Sequence, residues 1–249
     1  DTHHNTLDID MYMRIAPELY LKRLIVGGFD KVYEIGKMFR NEGMDVKHNP
    51  EFTMMELYAS YQDLNDMMNL VEEIFTAARI KPEVITYEGQ EINLKTPWER
   101  LTMLDAIKKY VGIDFDGMSA EQAKAAAVAA GVEIEKNKEA WGNIVYATFD
   151  QKVEEKLVGP VFITDYPVEE SPLTKRKADD PRMTHRFEFF IFAREMGNAY
   201  AELNDPIDQK ERFLRQVALR DGGDDEAQMM DDDYVTALEY GLPPTGGLG

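Results

Sequence analysis

Several ionisable side chains stand inside stretches that are otherwise apolar. Arg40 follows Phe39, Glu56 interrupts FTMMELYASY, Glu188 interrupts FEFFIFA, and Glu195 and Glu202 flank the segment NAYA. Desolvating an unpaired charge in a sheet face costs several kcal/mol, so each needs a partner. Structural ion pairs would meet that need, and so would a ligand. An arginine fork suits a phosphate. Two converging carboxylates suit a magnesium ion, which takes one or two protein carboxylates and keeps the rest of its shell for water and substrate oxygens. Further carboxylates suit an ammonium. Taken together, these groups describe a cleft with a cationic end and an acidic end, fit for a nucleotide and a cationic amine.

The elements that must position these groups are legible from periodicity. Apolar residues at helical spacing predict a helix over 17–26, opened by Pro17 and stopped by Gly27 and Gly28. Alternation predicts strands over 31–36 and 52–61, antiparallel and joined by a polar loop over 41–50. In the second strand Phe52, Met54, Glu56, Tyr58 and Ser60 share one face. An apolar stripe predicts a helix over 64–78 that serves the core. Ser119 and Gln122 form a capping-box signature before an alanine-rich run. The segment 111–160 is helical, charged and poor in aromatics, and reads as an inserted subdomain. Strands are predicted at 161–164, 187–193 and 198–202, with a hairpin turn over 194–197. The bases Lys175, Arg176, Lys177, Arg182 and Arg186 read as a solvated loop before a phosphate contact, and the acids of 221–233 as a solvated linker. Strands joined by non-helical loops and then helices argue for an α+β fold, an antiparallel sheet flanked by helices, and against a doubly wound parallel sheet.

Composition narrows the function. With 47 Asp plus Glu against 28 Lys plus Arg, the net charge of -19 opposes phosphate backbones and anionic lipid over most of the surface. The chain has no cysteine, which excludes disulfides and thiolate zinc sites. No apolar stretch reaches membrane-span length and no signal segment opens the chain, so a cytoplasmic protein without a membrane partner is expected. No Walker or dinucleotide glycine loop, serine elbow or histidine metal pair is present. The chain starts at Asp1 and stops in Gly246-Gly247-Leu248-Gly249, and reads as an excised piece.

Longer strings carry a resemblance. Phe39-Arg40-Asn41-Glu42-Gly43 followed by His48-Asn49-Pro50-Glu51-Phe52-Thr53-Met54-Met55-Glu56-Leu57-Tyr58 resembles motif 2 of the class II aminoacyl-tRNA synthetases, in the wording of bacterial-type lysyl-tRNA synthetases. Ala16-Pro17-Glu18-Leu19-Tyr20-Leu21-Lys22, Arg186-Phe187-Glu188-Phe189-Phe190, Glu195-Met196-Gly197-Asn198 and the block from Asp233 to Pro244 extend it over nearly the whole chain, weakening only in the insertion. The resemblance implies that lysine and ATP bind on the face of an antiparallel sheet. Lysyl-adenylate forms there before the lysyl group passes to the acceptor end of tRNA(Lys). By that similarity Arg40 grips the α-phosphate, and Glu42 and Asn49 contact the adenosine or steer the acceptor end. His48 reaches the terminal phosphates and Phe52 stacks on adenine. Glu188 and Glu195 match carboxylates that bind Mg2+, and Glu18, Glu56, Tyr58, Asn198, Tyr200 and Glu202 match the lysine pocket. Within it Glu56 and Glu202 stand near the side-chain ammonium or the α-amino group. The attacking carboxylate is already ionised at neutral pH, so no general base is needed. Ornithine should be rejected less strongly than substrates lacking the ammonium.

Two departures accompany the resemblance. Position 200 is Tyr where the family usually has Phe. The motif 3 arginine that clamps ATP, the motif 1 helix of the family's homodimer and the oligonucleotide-binding domain have no counterpart in this sequence, so the chain is expected to bind lysine weakly and to adenylate it poorly. A paralogue that lysylates elongation factor P shares this core, but Glu56-Leu57-Tyr58 and Glu239-Tyr240-Gly241-Leu242-Pro243-Pro244 favour the synthetase. A non-catalytic amino-acid-binding module on the same fold is the remaining alternative, and the retained Arg40, Glu188 and Glu195 argue against it.

Overall fold

A computed structural model describes residues 2–40, 49–78, 83–221 and 229–249 of the chain. A small hairpin, β1 (Thr2–His4) and β2 (Ile9–Met11), precedes helix α1 (Glu18–Val26). Then come β3 (Lys31–Phe39), β4 (Glu51–Ser60), α2 (Leu64–Ala77), a second hairpin of β5 (Val84–Tyr87) and β6 (Gln90–Asn93), and β7 (Glu99–Thr102). Helices α3 (Met103–Val111), α4 (Ala120–Ala129) and α5 (Trp141–Lys152) lead to β8 (Val161–Thr164), β9 (Arg186–Phe190) and β10 (Glu195–Ala201). Helices α6 (Pro206–Asp221) and α7 (Asp232–Gly241) and strand β11 (Thr245–Leu248) complete the fold.

Seven strands form one sheet in the order β3-β4-β11-β10-β9-β8-β7. It is the antiparallel sheet backed by helices that the sequence implies, with one exception: β7 and β8 at one edge run parallel. A parallel pair needs a long crossover, and α3 to α5 supply it. The two small hairpins escape the periodicity because their strands hold only three or four residues each. The turn of the second is tight: Glu88 and Gly89 both adopt positive φ.

Three cores hold the sheet. On one face α2 packs Met67, Met68 and Val71 against Phe162, Phe187, Phe189 and Trp98. On the other face α3 to α5 bury Ile107, Ile144, Val145 and Phe149 against Val161, Ile163 and Phe190 at the β7 end of the sheet. Also on that face, α1, α6 and α7 gather Leu21, Ile25, Phe213, Tyr234, Val235 and Leu238 around Tyr58. Between these last two cores the sheet face is left open.

Three local expectations are corrected. Strand β9 stops at Phe190 and β10 starts at Glu195, so the turn falls at 191–194 and not at 194–197. Phe192 and Ala193 take positive φ there, and their N–H groups donate to Val158 and Leu157 carbonyls, a tertiary demand that overrides strand propensity. Of the acidic stretch 221–233, residues 222–228 lie outside the described ones; at its end Asp231 is not simply solvated, because it caps α7 through the Tyr234 N–H at 2.8 Å and also holds the Arg23 guanidinium of α1 at 2.8 Å. Nor is the basic stretch a free cationic loop. Lys177 pairs with Asp165 at 2.6 Å, Arg182 with Asp180 at 2.7 Å while lying over the Trp141 ring, and Arg186 belongs to β9. Among the described residues no helix is long and apolar enough to cross a membrane.

Candidate active site

Register builds the site. Residues opposite one another on neighbouring strands project to the same side. One such row runs Val32, Tyr58, Gly247, Tyr200 and Arg186 across β3, β4, β11, β10 and β9. Two residues along, a second row holds Glu34 opposite Glu56, and Asn198 opposite Glu188. Gly249 lies between these pairs, bonded to Asn198 through both backbone groups at 2.8 and 2.9 Å. This is the open face of the sheet. Helix α1 roofs it, its helical period turning Glu18 and Lys22 together toward the strands with Leu21 and Ile25.

A cleft of about 130 Å³ results. Glu18, Arg40, Glu56, Tyr58, Asn198, Tyr200 and Glu202 line it together with Ala16, Met54 and Gly247 to Gly249. An adjoining cavity of about 240 Å³ shares Met54, Leu248 and Gly249 but has no ionisable lining. The chemistry therefore belongs to the smaller one. Gly247 is essential to its shape, because a Cβ there would collide with Glu202 Oε1 and the Tyr58 ring.

The acidic end is densely wired. The Tyr58 hydroxyl donates to Glu56 Oε1 at 2.5 Å, and the Tyr200 hydroxyl donates to Glu18 Oε1 at 2.9 Å. Tyr200 thus has the partner that its extra oxygen requires. Lys22, fully buried, donates to Glu18 Oε1 at 2.5 Å and pairs with Glu202 Oε2. Glu202 is 1% exposed, and its Oε1 meets no donor among the described residues. Burial pushes the Glu202 carboxyl up to about 8 against the pull of Lys22, with the Glu18 charge adding to the rise. Burial and then the Glu18 charge push Glu56 up to about 7. Burial alone would lower the Lys22 ammonium, but Glu18 and Glu202 hold it well above the usual lysine range. An acidic pocket that is reluctant to ionise while empty is the electrostatic signature of a site awaiting cations.

At the other end Arg40 follows β3, and its guanidinium lies 5.2 Å from the centroid of the Phe52 ring. Phe52 is on the same strand face but outside the cleft lining. Asn49 is exposed just before β4, and Glu42 and His48 lie outside the described residues.

Glu188 and Glu195 sit beside the cleft and not in its lining. Glu188 is buried, accepting from the Tyr166 hydroxyl at 2.7 Å and from Arg186 at 2.5 Å, while Glu195 is exposed beyond the bulge that shifts register between Glu195 and Gly197. Burial and then the Glu195 charge raise Glu188 to about 7. The Glu195 charge adds to the rise of Glu188, and a divalent cation held by the pair would offset it. The donor set fits magnesium. Among the described residues no group of three or more acids or histidines forms a metal cage.

Sequence reasoning missed Lys22, Gly247 and the Arg186–Glu188–Tyr166 cluster. Only Lys22 carried a usable signal: it is a lysine on the core-facing stripe of α1, one turn from Glu18.

An antiparallel sheet with an arginine at one end of its open face and buried carboxylates at the other is the frame of a class II synthetase. Residues 1–249 match the family described as tRNA synthetases class II (D, K and N), and the chain belongs to that family. Within it, the chain is similar to lysine--tRNA ligases: 58% identical to that of Pelotomaculum thermopropionicum, 58% to that of Carboxydothermus hydrogenoformans and 57% to that of a Thermoanaerobacter strain, with 100% of this chain covered in each case. The chain spans about half the length of the curated relatives it matches.

Proposed function

We propose that this chain provides the site for activating lysine with ATP, the first half of charging tRNA(Lys). The observation that carries the proposal is Glu202 Oε1, a buried carboxylate oxygen without a donor among the described residues, facing a cleft whose opposite end holds Arg40. Lysine offers two ammonium groups to the carboxylates and its α-carboxylate to the arginine. Glu202 and Tyr58 receive the side-chain ammonium, while Glu18, Glu56 and Asn198 surround the α-amino group. The α-carboxylate then faces Arg40.

In the reaction a carboxylate oxygen bonds to the α-phosphorus while the bond from that phosphorus to the bridging oxygen breaks, and pyrophosphate leaves with the electron pair. No proton moves, so a site without a general base is sufficient. What the chain contributes is alignment and charge: Arg40 faces the phosphoryl oxygens, and the cleft walls hold the nucleophile in line. Phe52 offers a ring for adenine, and Glu42, His48 and Asn49 are the further nucleotide contacts. Glu188 and Glu195 would hold Mg2+, which, when bound, neutralises charge on the phosphate chain. Transfer to the tRNA acceptor end and work as a homodimer belong to the same proposal for the whole protein.

The test is lysine-dependent exchange of labelled pyrophosphate into ATP by the full natural chain, with norleucine as the control that lacks only the ammonium. Exchange with lysine and none with norleucine is expected. Equal exchange with both amino acids, or exchange with neither, would overturn the proposal.

A further inference from the structure

Of the three carboxylates that line the cleft, Glu56 lies in β4 and Glu202 directly follows β10, where its N–H donates to the Thr245 carbonyl at 2.9 Å. Glu18 alone is carried by a helix. It is the first residue of α1, and Pro17 before it gives no side-chain cap. The first turn of a helix carries unpaired N–H groups and frays readily, so a carboxylate placed there needs a tether from outside. Lys22, buried behind the cleft wall, donates to Glu18 Oε1 at 2.5 Å, but it stands one turn along the same helix and moves with it. Tyr200, on β10 and 182 residues away in sequence, donates to the same oxygen at 2.9 Å.

We propose that Tyr200 is a positioning residue: its hydroxyl ties Glu18 Oε1 to the sheet and so presents the second oxygen, Oε2, to the α-amino group of bound lysine. The inference deepens the lysine reading of this site and rests on it.

Two observations support it. The first is direction. Both donors converge on Glu18 Oε1, and Oε2 takes none among the described residues, although Glu18 lines the cleft. One donor belongs to the helix and the other to the sheet, so the plane of the carboxylate is fixed and its second oxygen is left for a guest. The second is the chemistry of the donor. Burial, and then the Glu18 charge, raise the Tyr200 phenol well above the usual tyrosine range against the pull of Lys22, so the hydroxyl keeps its proton and stays a donor. A phenol holds a carboxylate without bringing a further cation to the site. The same arrangement stands on the other side of Gly247, where the Tyr58 hydroxyl donates to Glu56 Oε1 at 2.5 Å. There acid and phenol share one strand face, and the pairing is local. At Tyr200 it is made across the fold, and a phenylalanine would fill the same space while leaving Glu18 attached only to its own helix.

The experiment compares lysine with 6-aminohexanoate, which lacks only the α-amino group, by equilibrium dialysis of labelled ligand against the full natural chain. Tyr200→Phe is expected to weaken lysine about tenfold, the size of one hydrogen bond to a charged group, and 6-aminohexanoate by less than about twofold. The ratio of the two affinities therefore falls about tenfold. A purely structural role would weaken both ligands by the same factor, and a ratio that stays at the parent value overturns the proposal. Glu18→Ala should lower the ratio at least as far, and adding Tyr200→Phe to it should change lysine affinity by less than about twofold, because the hydroxyl then has no carboxylate to hold. A ratio unmoved by Glu18→Ala, or a further loss of about tenfold from the second change, also overturns it. Failure of the parent chain to bind lysine at all would count against the functional reading instead, which separates the two outcomes.

Discussion

At the scale of single residues, the cleft is governed by carboxylates that resist ionisation until a cation arrives. Burial raises Glu56 to about 7 and Glu202 to about 8, which brings both carboxyls into the neutral range. A bound ammonium favours the carboxylate form, so binding expels protons. The sign follows: lysine affinity should fall as pH drops below about 8, where Glu202 takes up a proton, and more steeply below about 7, where Glu56 does, by about tenfold per pH unit for each carboxyl that must give up its proton. Calorimetry in buffers of different ionisation heat reads the proton release directly, and a pH-independent affinity between about 6 and 8 would contradict the assignment. Glu202→Gln should remove one of the released protons and weaken lysine binding by about 2 to 5 kcal/mol, because Lys22 and the guest both lose a buried partner. Gly247→Ala tests the shape. Its new methyl group would meet Glu202 and Tyr58, so lysine affinity should collapse while the unfolding midpoint moves little, a split that equilibrium dialysis and urea denaturation would resolve.

At the scale of elements, the site depends on α1 being pinned over the sheet, since that helix carries both Glu18 and Lys22. Part of the pinning comes from α7, whose capping residue Asp231 also grips Arg23 of α1 with both carboxylate oxygens at 2.8 Å. Asp231→Ala removes a cap and a partly buried ion pair together. A loss of about 1 to 2 kcal/mol in unfolding free energy is expected, accompanied by weaker lysine binding although the residue lies outside the cleft. Replacing Asp63, which forms a capping box on α2 behind the sheet, should cost about as much stability and leave lysine binding untouched. Comparing the two separates helix stability in general from the position of α1.

Element boundaries show what a sequence can hide. Strands β3 and β4 were readable because one alternating face is apolar and the other carries Glu56, which no core would choose. The β9–β10 turn was misplaced because FEFFIFA has strand character throughout, and the decision to bend at Phe192 was made by carbonyls of Leu157 and Val158 some thirty residues away. Asp231 looked solvated for a similar reason, since its partner Arg23 lies 208 residues away in sequence.

For the whole molecule, two cores on the site face leave a window between them, and the helices of the crossover are part of that frame. Phe190 joins β9 to α5 and is fully buried. Phe190→Ala should cost about 3 to 5 kcal/mol by cavity formation, measured by urea denaturation, and loosen the strand that carries Glu188. The surface sets a different term. A net charge of -19 repels itself, so raising the salt from about 0.01 to about 0.15 M, which shortens the screening length from about 30 to about 8 Å, should raise the melting temperature.

Sequence alone determined the family, through the resemblance of its motif strings, and it determined the sheet with its helical cover and the carboxylates that line the cleft, because alternation within a strand decides which side chains share a face before any partner strand is known. What it could not determine was how those faces meet. The pairing of Tyr58, Gly247 and Tyr200 in one row, the lysine behind the wall, and the orphan oxygen of Glu202 all arise from register between strands far apart in the chain. Contacts of that kind depend on distances that only the packed sheet creates.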